Sequence, residues 1–161
     1  MNKFLITILI FLFICNSSSA RNIGETEITT EGGIEVFQEE KYYLLKQNVK
    51  IVSDELVLTA QTVKIFFDQD LYDIQELLAT EKVDFNSNEY NIKGKGNEVR
   101  FNVKNQIIII NGNNSELFLE NTKMISDGTI NVNNKEGTFY LNGNNSKLIS
   151  NDLNISGYNI L

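Results

Sequence analysis

The side chains able to do acid–base or nucleophilic chemistry are few in kind. The 161-residue chain has no His, and its one cysteine is Cys15. Without His, neither a Ser-His-Asp nor a Cys-His nucleophile can be assembled. With no second Cys, neither a disulfide nor a Cys/His zinc site is available. Carboxylates are plentiful. Glu55, Asp68, Asp84 and Glu98 stand among apolar, strand-like segments. Two carboxylates facing each other across a cleft, roughly 5–10 Å apart, would be the equipment of a glycosidase. None of the four has a spacing that singles it out, and solvation of an ordinary surface accounts for scattered acids. The residue types therefore point to a protein that binds rather than reacts, with no catalytic residue, metal or cofactor. The net charge of −7 argues against nucleic acid as a partner, because a phosphate backbone calls for a cationic face. It argues equally against electrostatic docking on an anionic membrane.

The elements that position these residues are strands. Val49-Lys50-Ile51, Val63-Lys64-Ile65, Val99-Arg100-Phe101-Asn102-Val103, Ile130-Asn131-Val132 and Leu153-Asn154-Ile155 alternate apolar with polar. A period of two places one face in a core and the other in water. Gly33-Ile34-Glu35-Val36-Phe37 is a further strand in a polar lead-in. The gaps are rich in Asn, Gly, Ser and Asp, which are turn formers. Residues Asp73 to Lys82 carry Ile74, Leu77 and Leu78, a spacing that also allows two helical turns; strands on either side favour strand or turn.

Residues 1–20 have the order of an export signal: Lys3, an apolar run from Phe4 to Ile14, then a small-residue end. Ser18 and Ala20 fit the small-x-small rule, so cleavage is expected after Ala20, leaving residues 21–161 as one domain outside the cytoplasm. The run is short for a spanning helix, which needs about 20 residues; an uncleaved anchor is the competing reading. Bulky Ile14 before Cys15 disfavours lipoprotein processing.

The strands repeat. Gly112-Asn113-Asn114-Ser115-Glu116-Leu117-Phe118 recurs 31 residues later as Gly143-Asn144-Asn145-Ser146-Lys147-Leu148-Ile149. A small or turn residue three positions ahead of a strand-opening apolar residue recurs at Ala60, Gly96, Asp127 and Gly157. Periods in this range mark stacked supersecondary units, none of which can bury its apolar face alone. The expected architecture is all-β: an antiparallel jelly-roll, folded over on itself around an apolar interior. Its inward set is Val49, Ile51, Leu58, Val63, Ile65, Val83, Phe85, Val99, Phe101, Ile130, Val132, Phe139, Leu141, Leu148 and Ile155; its outward set includes Lys50, Lys64, Arg100, Asn102 and Asn131. Filled, that interior is only a core; open along a seam, it is a groove for acyl chains. Strand character persists to the last residues, with no Pro or charge to cap an open edge.

These stretches resemble the LptA family (OstA-like), periplasmic proteins of lipopolysaccharide transport. The likeness is carried by Ile28-Thr29-Thr30-Glu31-Gly32-Gly33-Ile34-Glu35-Val36 and by Asn48-Val49-Lys50-Ile51 followed by Leu56-Val57-Leu58-Thr59-Ala60-Gln61-Thr62-Val63-Lys64-Ile65. A second copy runs from Lys82-Val83-Asp84-Phe85 to Val99-Arg100-Phe101. Gln47 stands where the family has Gly, Gln61 where it has Asp, and Glu81-Lys82 where it has Gly-Asn. The resemblance implies a twisted β-jelly-roll, or β-taco, that binds the acyl chains of lipopolysaccharide on the inward residues from Val49 to Leu141. It also implies edge-strand addition to homologous jelly-rolls of the inner- and outer-membrane transport components, and head-to-tail homo-oligomers. An inner-membrane-anchored relative of the LptC type and a structural, adhesin-like β-repeat are the competing identities.

Overall fold

Alternation and the absence of Pro let the strands run long, because nothing interrupts a ladder of backbone hydrogen bonds. The computed structural model describes residues 25–71, 73–88 and 90–161, so the export signal expected over residues 1–20 lies outside the described residues. Twelve strands follow in order: β1 (Glu27–Thr29), β2 (Ile34–Phe37), β3 (Tyr42–Val52), β4 (Leu56–Phe67), β5 (Ile74–Ser87), β6 (Ile92–Asn102), β7 (Ile107–Asn111), β8 (Ser115–Leu119), β9 (Thr122–Ser126), β10 (Thr129–Asn133), β11 (Thr138–Ser150) and β12 (Leu153–Ile160). No helix occurs among the described residues. The segment from Ile74 onward, where a helix competed in the sequence, is strand β5. Its partners decide the matter: β5 is hydrogen-bonded to β4 on one side and β6 on the other.

All pairings are antiparallel, and each long strand bends near its middle. The register shifts between Lys46 and Val49 in β3, Thr59 and Thr62 in β4, Thr80 and Val83 in β5, and Asn142 and Ser146 in β11. These bends line up into a corner that divides the sheet into two leaves. One leaf holds β1, β8, β9 and the Val49–Val52, Leu56–Ala60, Val83–Ser87 and Ile92–Gly96 halves of β3 to β6; we call it the lower leaf. The upper leaf holds β2, β7, β10 and the opposite halves. β7 and β8 act as one strand cut at the corner, since both pair with β6, and β9 and β10 as another. The pairing therefore closes on itself, in the ring β6–β7–β10–β11–β9–β8–β6, while β1 and β2 flank one end and β12 the other.

The corner is made in two ways. In β3 and β5 a pair of residues takes the left-handed conformation: Gln47 and Asn48 (φ 62° and 50°), then Glu81 and Lys82 (φ 64° and 55°). In the later strands the repeated Gly-Asn-Asn-Ser supplies the bend. Ser115, Ser126 and Ser146 are fully buried there. The Ser115 hydroxyl donates to the Gly112 carbonyl (2.9 Å) and lies 3.2 Å from that of Gly128, Ser126 donates to Asn142 (2.9 Å), and Ser146 reaches Gly143 (3.3 Å) and Tyr158 (3.4 Å). Each hydroxyl thus ties one strand's corner to the next. The Asp127 carboxylate accepts from the Asn145 backbone N–H (3.1 Å) and side-chain amide (2.8 Å), bonds that hold its carboxyl below the usual range.

Inward side chains of both leaves form one core, which contains Val49, Ile51, Leu58, Val63, Ile65, Val83, Phe85, Val99, Ile130, Val132, Leu141 and Leu148, with Phe101 and Phe139 half-buried against it. Ile155 differs from expectation. It faces inward opposite Leu148, yet it is 38% exposed, because β12 is an edge and no further strand covers it.

Candidate functional site

The leaves meet at the corner and diverge toward their turns, and the interior opens between those turns. A cavity of about 320 Å³ lies there. The lower leaf contributes Leu56, Leu58, Phe85 and Ile92; the upper leaf contributes Ile74, Leu77, Ala79, Val99, Phe101 and Ile108. Its lip carries Ser53, Glu55, Ser87, Tyr90, Val103, Gln106 and Asn134. The volume lies within the range of small-ligand sites, and the walls are mostly apolar.

Local rules account for the lip. Ser53 closes the β3–β4 turn by accepting the Leu56 N–H (3.0 Å). Asn134 is tied to Gln106 through its backbone N–H, which donates to the Gln106 carbonyl (3.0 Å), and its side-chain amide (3.3 Å), joining two upper-leaf turns. Small inner residues accommodate large neighbours. Gly94 sits on the inner face beneath the Phe85 ring, where a Cβ would come within 2.6 Å of Cζ; Ala60 and Ala79 occupy inner positions nearer the corner. An apolar hole with a polar lip can hold the hydrocarbon of an amphiphile while its polar end stays in water.

Of the inward residues expected to meet acyl chains, Leu58, Phe85, Val99 and Phe101 line this cavity. Val49, Ile51, Val63, Ile65 and Val83 pack nearer the corner or toward the β1/β2 end, and Ile130, Val132, Phe139 and Leu141 belong to the filled part of the interior beyond β7. Sequence reasoning missed Leu56, Ile74, Leu77, Ala79, Ile92 and Ile108. Alternation through Leu77, Ala79, Val83 and Phe85 was the available signal, obscured by the helical spacing of Ile74, Leu77 and Leu78.

The four carboxylates weighed as catalytic lie apart. Glu55 is at the lip, Asp68 pairs with Lys41 in an exposed turn (3.4 Å), Asp84 is on the outside of the lower leaf opposite Lys95, and Glu98 accepts from Asn111 outside the upper leaf (3.0 Å). Among the described residues no group of His, Cys, Asp or Glu is placed to hold a metal ion.

Both ends of the interior are bordered by edge strands with uncovered apolar residues. Ile28, Ile34 and Val36 stand opposite Ile51, Leu45 and Tyr43 at one end and are exposed. Leu153 and Ile155 are exposed at the other.

Residues 33–157 match the family described as LptA/(LptD N-terminal domain) LPS transport protein. Among solved structures, the chain resembles LptH, described as the LptA-homologous periplasmic component of the lipopolysaccharide transport device of Pseudomonas aeruginosa. The TM-score is 0.61 and the identity 10%, over 74% of this chain and 83% of that one, which is a likeness of fold. No curated protein matches the chain in sequence.

Proposed function

We propose that this chain, which belongs to the LptA/LptD N-terminal-domain family of lipopolysaccharide transport proteins, holds lipopolysaccharide by its acyl chains in the cavity between the leaves and performs no chemistry on it. The 320 Å³ apolar cavity with its polar lip carries this reading. Removing each CH₂ from water is worth about 0.8 kcal/mol, so a bare multi-acyl lipid is very costly in water, and an apolar passage removes that cost. Handing the lipid on needs neither acid nor base, consistent with scattered carboxylates. The site of action would be the periplasm: the export signal of residues 1–20 supports this, as does the fold shared with a periplasmic protein.

The edges supply the means of connection. An uncapped edge strand presents unpaired N–H and C=O groups and invites addition of another sheet. Strand addition at β1/β2 and at β12 would join the interior to those of homologous jelly-rolls in the inner- and outer-membrane components, or to a second copy head to tail. The exposed inward residues Ile28, Ile34 and Ile155 would then be covered.

Photocrosslinkers placed singly at Leu77 and Phe101 should capture lipopolysaccharide, whereas those at Lys64 and Arg100, outside the upper leaf, should not. Capture from the outer positions alone would sink the proposal, and no capture from any position would favour a structural β-repeat with a filled interior.

A further inference from the structure

We propose that the outer face of the lower leaf is a second binding site, one that takes the phosphorylated sugars of the same glycolipid whose acyl chains enter the cavity; it rests on that reading of the cavity. The protein is acidic overall, with 21 Asp and Glu against 14 Lys and Arg, yet this face is cationic. Register places Lys50, Thr59, Asp84, Lys95, Glu116, Ile125 and Lys147 in one outward row across the sheet. The adjacent row runs through Asn86, Lys93, Phe118 and Lys123. The outside of the upper leaf is balanced instead: Lys46 pairs with Glu35 (2.7 Å) and Arg100 with Glu76 (2.5 Å).

The lysines converge. Lys95 and Lys123 both reach the Glu116 carboxylate, at 3.1 and 3.3 Å. Lys93 and Lys123 stand 5.1 and 4.9 Å from the centre of the Phe118 ring. Burial pushes the Glu116 carboxyl up, but the hydrogen bonds from Lys95 and Lys123 outweigh it and hold it below the usual carboxylate range. Glu116 and Asp84, which stands opposite Lys95, cannot together neutralise Lys93, Lys95 and Lys123, so one positive charge is left over around an aromatic ring. Beside it lies a depression of about 410 Å³ lined by Asp84, Asn86, Lys93, Lys95, Glu116 and Phe118 among others.

Ammonium groups suit phosphate, and an aromatic face suits the C–H surface of a sugar ring; a phosphorylated sugar offers both. Position fits as well. Lys93 directly follows Ile92, which lines the cavity, and points to the other side of the same strand; Tyr90, at the lip, lies across the turn. A headgroup leaving the cavity over this lip meets Lys93 first. Surface solvation alone would spread the lysines rather than gather two at one carboxylate and two at one ring.

The test titrates the protein with a glucosamine disaccharide bearing two phosphates and no acyl chain, following amide NMR shifts at low salt. Shifts centred on Lys93, Gly94, Lys95 and Lys123 are expected, with affinity falling as salt rises. The Lys95→Gln/Lys123→Gln variant should bind on the order of tenfold more weakly. Lys46→Gln/Lys64→Gln, which removes the same charge from the other leaf, should bind as the wild type does. Absence of shifts, equal binding of the unphosphorylated disaccharide, or an unchanged affinity in the Lys95/Lys123 variant would each overturn the proposal. So would binding to phosphatidylglycerol vesicles but not to the disaccharide, which would assign the face to a membrane. Because the probe has no acyl chain, failure of crosslinking at Leu77 and Phe101 would remove the cavity reading without altering this result.

Discussion

The β4–β6 stretch and the β8–β11 stretch are built from the same bent unit, but the cavity lies against the first. Side-chain volume is one reason. Between β4 and β6 the inner face carries small Ala60 and Ala79 nearer the corner and half-buried Leu77 and Phe101 toward the turns; between β8 and β11 it carries Leu117, Met124, Ile130 and Leu141, each 2% exposed or less. Large residues from facing leaves meet in the middle, and small ones do not. The corner is another. Buried Ser115, Ser126 and Ser146 tie successive strands of the second stretch together. The corners of β3 and β5 have left-handed pairs on the exposed surface instead. A fold that must both hold together and admit a guest has divided those tasks along its length.

Truncation should break or sharpen that contrast most visibly. Leu117→Ala or Leu141→Ala removes a fully buried side chain from the filled stretch and should cost about 2–5 kcal/mol in urea unfolding. Leu77→Ala, at a half-buried wall of the cavity, should cost about half as much or less, since its side chain already lacks neighbours on one side. It should instead weaken capture of lipopolysaccharide. Equal losses of stability at both places would mean that the two stretches do not differ in packing.

The corner offers a smaller effect. Ser126 donates to the Asn142 carbonyl and accepts from the Gly128 N–H (3.1 Å) with no exposure to water. Ser126→Ala leaves that N–H without its partner and should cost about 1–3 kcal/mol. Gln61, at the corner of β4, donates to the Asn48 side chain (2.8 Å) near the surface. Gln61→Ala should fall within about 0.5 kcal/mol of wild type. Urea midpoints of the two variants, read with unchanged slopes, make the comparison.

The all-β class, the inward faces and the repeat were legible because alternation reports directly which side of a strand is buried. Val63 and Ile65, or Ile130 and Val132, carry that information without any partner. The cavity was not legible in the same way. Whether Phe101 meets a facing side chain or empty space depends on what the opposite leaf holds, and that is set by register between residues far apart in the chain. The run Ile107–Ile110 carried no alternation at all, having apolar residues on both faces, so Ile108 could not be assigned to the interior. The cationic outer face was hidden for a related reason: net charge averages over surfaces, and Lys93, Lys95 and Lys123 become neighbours only when β6, β8 and β9 pair. Ile155 was misjudged because periodicity gives the face a residue points to but not whether anything covers it.

Departures from the family pattern acquire a physical meaning at the corner, and they carry a modest expected effect. Gln47, where the family has Gly, sits at φ 62°, and Glu81, where it again has Gly, sits at φ 64°. For a residue with a Cβ this conformation costs about 1–2 kcal/mol, and Gly avoids that cost at some expense of chain entropy. Gln47→Gly and Glu81→Gly should therefore each stabilise the protein by about 1 kcal/mol, raising the melting temperature by about 2–4 °C. Gly112, at φ 137°, supplies the reverse case: a Cβ there would come within 2.8 Å of the Asn97 Cβ, so Gly112→Ala should lower the melting temperature. Opposite signs at the two kinds of corner would place the backbone in control of both. If Gln47→Gly lowered stability instead, the side chain at that bend would be contributing more than its strain costs. The surface corners of β3 and β5 would then be held by side chains, as the buried corners between β8 and β12 are.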